Sequence, residues 1–351
     1  MSTLDINIFF AFCTALLITY IAIPKVIFFS EKFKLFDSAG KRASHEGSTP
    51  VFGGIAIFAG IIFSLLFWAN LENIQYILVS FLVVFFVGII DDLLTLSPVK
   101  KLIGQIISIL IIIYLGDLQI DNMYGVLGVH VLPAWASTSF TIFVVIVIAN
   151  GFNLIDGVDG LAGGLGMIAA FSFGVISLFI IDIPGQVDMA IIAFTLMGAL
   201  LGFLKYNLHP SKIFMGDTGS LVVGIILAVL AINTIKHGLI TETIHFSNKG
   251  PLLAIMILAI PLFDSLRVFI VRIVKGRHPL YPGREHIHHA LLKLGFGHTQ
   301  TSLILCVFAI ILIVFSYFLL KLNINYSIAI LAVISFSLLL IPFYLLKDKL
   351  K

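Results

Sequence analysis

The apolar residues of this chain arrive in blocks, each close to the length that carries a helix across a lipid bilayer, about 20 residues. The blocks lie near 4–29, 51–69, 74–92, 100–116, 137–155, 160–182, 187–206, 219–236, 251–274, 300–320 and 325–346. Only 11% of the residues are charged, and 60% are hydrophobic. A soluble globular protein carries about 25% charged residues, so burial in a soluble core does not account for the deficit. The expected fold is all-α: a polytopic integral membrane protein of about 10–11 transmembrane helices. Block 100–116 is short, and block 137–155 runs into a polar motif.

The longest segments between blocks, 31–50, 117–136 and 275–299, are too small to fold alone, so residues 1–351 read as one transmembrane domain. The start MSTLDINIFF holds an acid and no basic residue, and is not expected to be a cleaved signal peptide. Cys13 and Cys306 lie inside apolar blocks, which argues against a structural disulfide or a cysteine metal site. Orientation follows from the basic residues. With the N-terminus outside, all of the 21 Lys and Arg except Lys236, Lys249 and Lys321 fall on or beside one face. Cytoplasmic segments carry the Lys/Arg excess. The N-terminus is therefore expected outside the plasma (inner) membrane, with the tail KDKLK and the loops 31–50, 91–101, 150–160, 205–219 and 275–299 in the cytoplasm. The formal charge of +3 is then juxtamembrane. No nucleic-acid-binding pattern appears.

The carboxylates carry the functional inference. Asp91 and Asp92 end the third block in VGIIDDLLTLSPVKK. Two adjacent acids at a helix C-terminus oppose the helix dipole. They read either as solvated end-of-helix acids balanced by Lys100 and Lys101, or as a site for a divalent cation. In NGFNLIDGVDGLAGGLG (150–166), Asp156 and Asp159 are three apart and face one way if that stretch is helical. Asn150 and Asn153 precede them. A capped, glycine-rich turn explains the glycines but not two acids and two amides at the membrane edge. FMGDTGS (214–220) places Asp217 as an N-cap or as a metal ligand. In the second case, Lys212 and the amides of the helix N-terminus are left for phosphate oxygens. GRHPLYPGREHIHHALLKLGFGH (276–298) gathers Arg277, Arg284, His286, His288 and His289. Arg and His facing acids and phosphates suit this cluster better than zinc, because the acids elsewhere are hard oxygen donors. Asp264, three residues before Arg267, reads as structural support.

Five acids (Asp91, Asp92, Asp156, Asp159, Asp217) thus fall in three connections that share the basic face. Their convergence implies one polar site for a metal ion and polyanions beside the bilayer. A transporter with carboxylates along a cation path is the other class of reading, but such sites lie near the midplane of repeated, broken helices, and no repeat is visible.

DDLLTL (91–96), NGFNLIDGVDGLAGG (150–164), FMGDTGSL (214–221) and REHIHHALL (284–292) resemble, in order and over nearly the whole chain, the polyprenyl-phosphate N-acetylhexosamine-1-phosphate transferases. Arg-Glu before HIHH, and KRASHEGSTPVFGG (41–54), are similar to the branch that uses UDP-N-acetylglucosamine. The phospho-N-acetylmuramoyl-pentapeptide branch, the alternative, carries Pro-Leu-His-His-His where this chain does not. The resemblance implies transfer of a sugar-1-phosphate from a UDP-N-acetylhexosamine to undecaprenyl or another polyprenyl phosphate, with release of UMP, at the first membrane step of envelope glycan assembly. It implies Mg2+, with Mn2+ as substitute, on Asp217 and Asn153. Asp91 would orient or deprotonate the lipid phosphate, and Asp92 would support the cation. Asp156, Asp159 and Asn207 would hold the uridine and sugar side, with Phe214 stacked on uracil. Arg284, His286, His288 and His289 would clamp the diphosphate, with His288 counted among the catalytic groups. A homodimer is compatible with all of this.

Overall fold

The computed structural model describes residues 3–33, 49–179, 185–237, 248–276, 283 and 285–349. In chain order these form α1 (Thr3–Phe33), α2 (Gly53–Trp68), α3 (Leu71–Leu94), α4 (Pro98–Tyr114), the hairpin β1 (Asn122–Val126) and β2 (Val129–Val131), α5 (Ala134–Ile155), α6 (Leu161–Phe179) and α7 (Gln186–Asn207). There follow α8 (Gly216–His237), α9 (Gly250–Ile257), α10 (Ala259–Val274), α11 (Ile287–Leu294), α12 (His298–Leu319) and α13 (Ile324–Lys349). The protein is an all-α polytopic membrane protein.

Each apolar block coincides with a helix, but the blocks are not equal. Among the described residues, eight helices (α1, α3, α5, α6, α7, α8, α12 and α13) are long and apolar enough to cross a bilayer. The block at 251–274 is broken: α9 and α10 meet at 79°, and together they make a ninth span if they act as one. Pro261 explains the break. It has no N–H to offer the carbonyl of Ile257, the last residue of α9, and its ring crowds that carbonyl. The helices α2, with 16 residues, and α4, with 17, are shorter than a full crossing. The count of 10–11 is reached only when these two are included.

Helix α8 is the hub, buried along its whole apolar window. Its neighbours approach closely because they present glycine. A Cβ on Gly54 of α2 would stand 2.2 Å from the Gly219 nitrogen, and one on Gly88 of α3 would stand 2.4 Å from Thr218 Cα. Side-chain amides pair between helices, Gln105 of α4 with the half-buried Asn150 of α5 and, fully buried, Gln186 of α7 with Asn233 of α8. The hairpin lies in the segment 117–136, where no strand was expected. It closes one end of the bundle: Tyr124 Oη donates to the Lys236 carbonyl at 3.1 Å, and Asn325 Oδ1 accepts the Leu127 N–H at 2.7 Å. At the opposite end the C-termini of α3, α5 and α7 meet the N-terminus of α8. That end holds the predicted motifs.

Candidate active site

Helix α3 delivers Asp91 and Asp92 in its last turn. Asp91 is buried, and both its oxygens are engaged: Oδ1 accepts the Leu96 N–H at 2.7 Å, and Oδ2 lies 2.9 Å from Lys101 Nζ. The chain turns just beyond at Thr95, whose φ is 51°. Lys101 Nζ also donates to Asp217 Oδ1 at 2.7 Å. One ammonium therefore stands between carboxylates that are 126 positions apart in sequence (217 minus 91). The sequence treated Lys101 only as a counter-charge. Its signal was its place on the buried face of α4, in line with Gln105, Ser108 and Ile112, whereas Lys100 is exposed.

Asp92 does something the sequence did not indicate. Its Oδ1 accepts the Asp217 N–H at 2.8 Å, and its Oδ2 accepts the Thr218 N–H at 3.0 Å and the Thr218 hydroxyl. It is the cap of α8, so Asp217 is not the N-cap. The amides expected to meet phosphate oxygens are held by Asp92 instead. A carboxylate at this position also matches the positive end of the helix dipole.

Asp217, about a third exposed, accepts from Lys101 and from Asn153 Nδ2, which also reaches Ser220 Oγ at 2.9 Å. Asn153 is thus placed against Asp217 through its amide nitrogen. Helix α5 ends at Ile155, so Asp156 and Asp159 sit in a turn rather than on one helical face, and they meet different partners. Burial, with the negative charges of Asp217 and Asp92 nearby, pushes the Asp156 carboxyl up to about 7. The Asp159 carboxylate is hydrogen-bonded to His209 and lies 3.5 Å from His298 Nδ1, neither of which the sequence reading singled out.

Asn207 braces two connections. Its Oδ1 accepts the Gly160 N–H at 2.9 Å, and its Nδ2 donates to the Ile213 carbonyl at 2.9 Å. With the residue 3% exposed and its amide engaged, it shapes the site from behind, contrary to its expected place on uridine. Phe214 is held by backbone pairing with residues 50 and 53, and the residue is 38% exposed. Lys212 is exposed.

The histidine segment divides by burial. His286 Nδ1 lies 2.8 Å from Asp264 Oδ2. Asp264 also pairs with Arg267 at 2.9 Å and accepts the Ile287 N–H at 3.1 Å, capping α11. Asp264 is the structural support the sequence suggested. His286 belongs with it as an anchor, not with a diphosphate clamp, because it is 3% exposed. His288 is buried, its Nδ1 has no hydrogen-bond partner, and a Cβ on Gly157 would stand 3.0 Å from its Nε2. Burial and the neighbouring His289 lower its pKa to about 3, so it faces the Asp156–Gly157 turn as a neutral imidazole rather than a cation. His289 is half-buried beside it, with ring centroids 4.3 Å apart. Arg277, Arg284 and most of 41–54 lie outside the described residues.

The arrangement can hold a cation. Lys101 Nζ marks a position within 3 Å of oxygens from both Asp91 and Asp217, and carboxylate oxygens are the hard donors that suit Mg2+. Fold and site together define an integral membrane protein with a carboxylate-rich polar site at one end of its helical bundle.

The profile of glycosyl transferase family 4 matches residues 74–235. A decaprenyl-phosphate N-acetylglucosaminephosphotransferase of Mycobacterium tuberculosis (strain H37Rv) is 32% identical over 315 residues, 83% of this chain and 77% of that protein. A probable undecaprenyl-phosphate N-acetylglucosaminyl 1-phosphate transferase of Bacillus subtilis is 31% identical over 86% of this chain and 81% of that protein. The undecaprenyl-phosphate alpha-N-acetylglucosaminyl 1-phosphate transferase of Escherichia coli K12 is 28% identical over 81% and 76%. The chain belongs to glycosyl transferase family 4 and is a membrane-embedded transferase.

Proposed function

We propose that the protein transfers N-acetylglucosamine-1-phosphate from UDP-N-acetylglucosamine to a polyprenyl phosphate, undecaprenyl phosphate in the first instance, at the cytoplasmic face of the plasma membrane. The observation that carries this reading is the ammonium of Lys101 between Asp91 and Asp217. A cation position at the bundle's end, built from carboxylates of distant segments, serves the exchange of one phosphoanhydride for another. The names of the relatives support the sugar and the lipid.

An oxygen of the lipid phosphate attacks the sugar-bearing phosphorus of the donor, that phosphorus–oxygen bond to UMP breaks, and UMP leaves with the bridging oxygen. Asp217, with Asn153 beside it, would hold Mg2+, or Mn2+ in its place, and the ion would supply the positive charge that neutralises the diphosphate. Asp217 is more exposed than Asp91. Asp91, with both oxygens engaged, positions Lys101, and Lys101 is then a cationic partner for the lipid phosphate. That phosphate, with a second pKa near 6, is already largely ionised, so no strong general base is needed. Asp92 acts through α8, fixing the turn that presents Asp217. Asp156 and Asp159 face the donor, Phe214 stacks on uracil, and Lys212, Arg284 and His289 supply donors to phosphate oxygens. His288 acts as a neutral hydrogen-bonding group beside Asp156.

The test is incubation of detergent-purified protein with radiolabelled UDP-N-acetylglucosamine, Mg2+ and undecaprenyl phosphate. Labelled lipid and stoichiometric UMP are expected, and EDTA abolishes both. UDP-N-acetylmuramoyl-pentapeptide, whose lactyl-peptide needs more room, is expected to be rejected, since a steric clash excludes more steeply than a missing contact. Comparable turnover of the pentapeptide donor would move the chain to the other branch of the family.

A further inference from the structure

Asp159 differs from the other motif acids in the company it keeps. Its carboxylate is buried; Oδ2 lies 2.7 Å from His209 Nδ1, and Oδ1 lies 3.5 Å from His298 Nδ1. One ligand atom from each of the three residues falls within 4.8 Å of the other two. They come from three separate places: the α5–α6 turn, the connection after α7, and the first residue of α12. The two imidazoles stack with centroids 5.2 Å apart and planes 24° apart, and both direct Nδ1 to the same carboxylate. The Asp159 N–H also donates to His298 Nδ1 at 3.4 Å. Imidazole nitrogens and carboxylate oxygens from three residues thus converge on one small space, where a cation would be held by all three.

Two imidazoles and one carboxylate are the donors of a borderline ion, and three protein ligands with an open fourth position are an ordinary zinc arrangement. This set contrasts with Asp91, Asp92 and Asp217, which offer hard oxygens and no imidazole. The histidines are 51% and 38% exposed, so an ion reaches them from water. We propose that Asp159, His209 and His298 form a second metal site, which takes Zn2+ or a similar transition ion and is distinct from the Mg2+ site. Coordination requires His209 to move its proton from Nδ1 to Nε2 or release it. The bound ion ties together three connections at the active-site end of the bundle. It also withdraws Asp159 from the donor, a second claim that rests on the role given to Asp159 above.

The binding claim is tested without substrate. Full-length, untagged, metal-free protein in detergent is titrated with Co2+, whose visible bands report low-coordinate nitrogen and oxygen ligation, in excess Mg2+. One equivalent is expected to bind and to be displaced by one equivalent of Zn2+. His209→Ala and His298→Ala should each weaken binding by at least about a hundredfold, because changes one shell further out already cost 10–100-fold. Both variants should elute as the parent does in size exclusion, and His289→Ala should leave the spectrum intact. An absent spectrum at saturation would overturn the site. So would a spectrum that survives both substitutions and disappears in His289→Ala. The second claim is read in transfer assays with excess Mg2+: Zn2+ should inhibit competitively with the UDP-sugar, and His298→Ala should relieve the inhibition. Zn2+ binding with no competition would leave the metal site standing and remove Asp159 from the donor side.

Discussion

Replacing Lys101 with Met keeps the length of the side chain and removes the charge between Asp91 and Asp217. The loss can be worked from exposure. Asp91 is 7% exposed and Lys101 16%, so this end behaves as a buried pair, for which removing one partner costs about 3–5 kcal/mol. Asp217 is 32% exposed, and solvent screening holds its end to roughly 0.5–1 kcal/mol. The retained Leu96 N–H bond to Asp91 softens the first figure, so the sum expected is about 3–5 kcal/mol. The same vacancy is a cation position with both carboxylates still present. Mg2+ should therefore restore more stability to Lys101→Met than it adds to the parent. Thermal unfolding in detergent, in EDTA and then in saturating Mg2+, measures both quantities. Lys101→Met/Asp91→Asn, which removes the stranded charge, should recover much of the loss without metal. Equal melting temperatures for Lys101→Met and the parent in EDTA would refute the reasoning, as would a deficit that Mg2+ leaves untouched.

Asp217→Asn retains shape and removes charge; transfer should fall by at least about two orders of magnitude, in line with losing a major electrostatic contribution, with the melting temperature little changed, and near-parent turnover would reduce Asp217 to a packing role. Asp156 titrates near 7 in the folded protein against an ordinary 3.8. A raised carboxyl favours the folded state while protonated, so metal-free protein should lose stability as pH rises from about 4 through 7, and Asp156→Asn should flatten that part of the profile. For topology, single cysteines placed in 275–299 should resist a membrane-impermeant reagent in intact cells, whereas those in 237–248 should react. Strong labelling of the first set from outside would reverse the orientation.

Much of this protein was legible in one dimension. A bilayer demands continuous apolar length, so the eleven blocks could be read from hydropathy, and each met a helix. The charge bias along the chain assigned the five acids to one face, and Asp91, Asp92, Asp156 and Asp217 do converge. What hydropathy averages away is where a helix fails: the break at Leu258 comes from one missing N–H at Pro261, within a window that stays apolar throughout. Roles were less legible than places. Asp91 and Asp92 are neighbours of the same type, yet one holds Lys101 and the other caps α8, because successive helical positions point about 100° apart and only packing says what lies in each direction. His286 and His288 show the same split, one bound to Asp264 and the other left with a buried, unpartnered nitrogen. His209 lay in none of the motifs, and His298 only ended the histidine segment without being singled out. They joined Asp159 only when three connections, distant in sequence, were folded to the same end of the bundle.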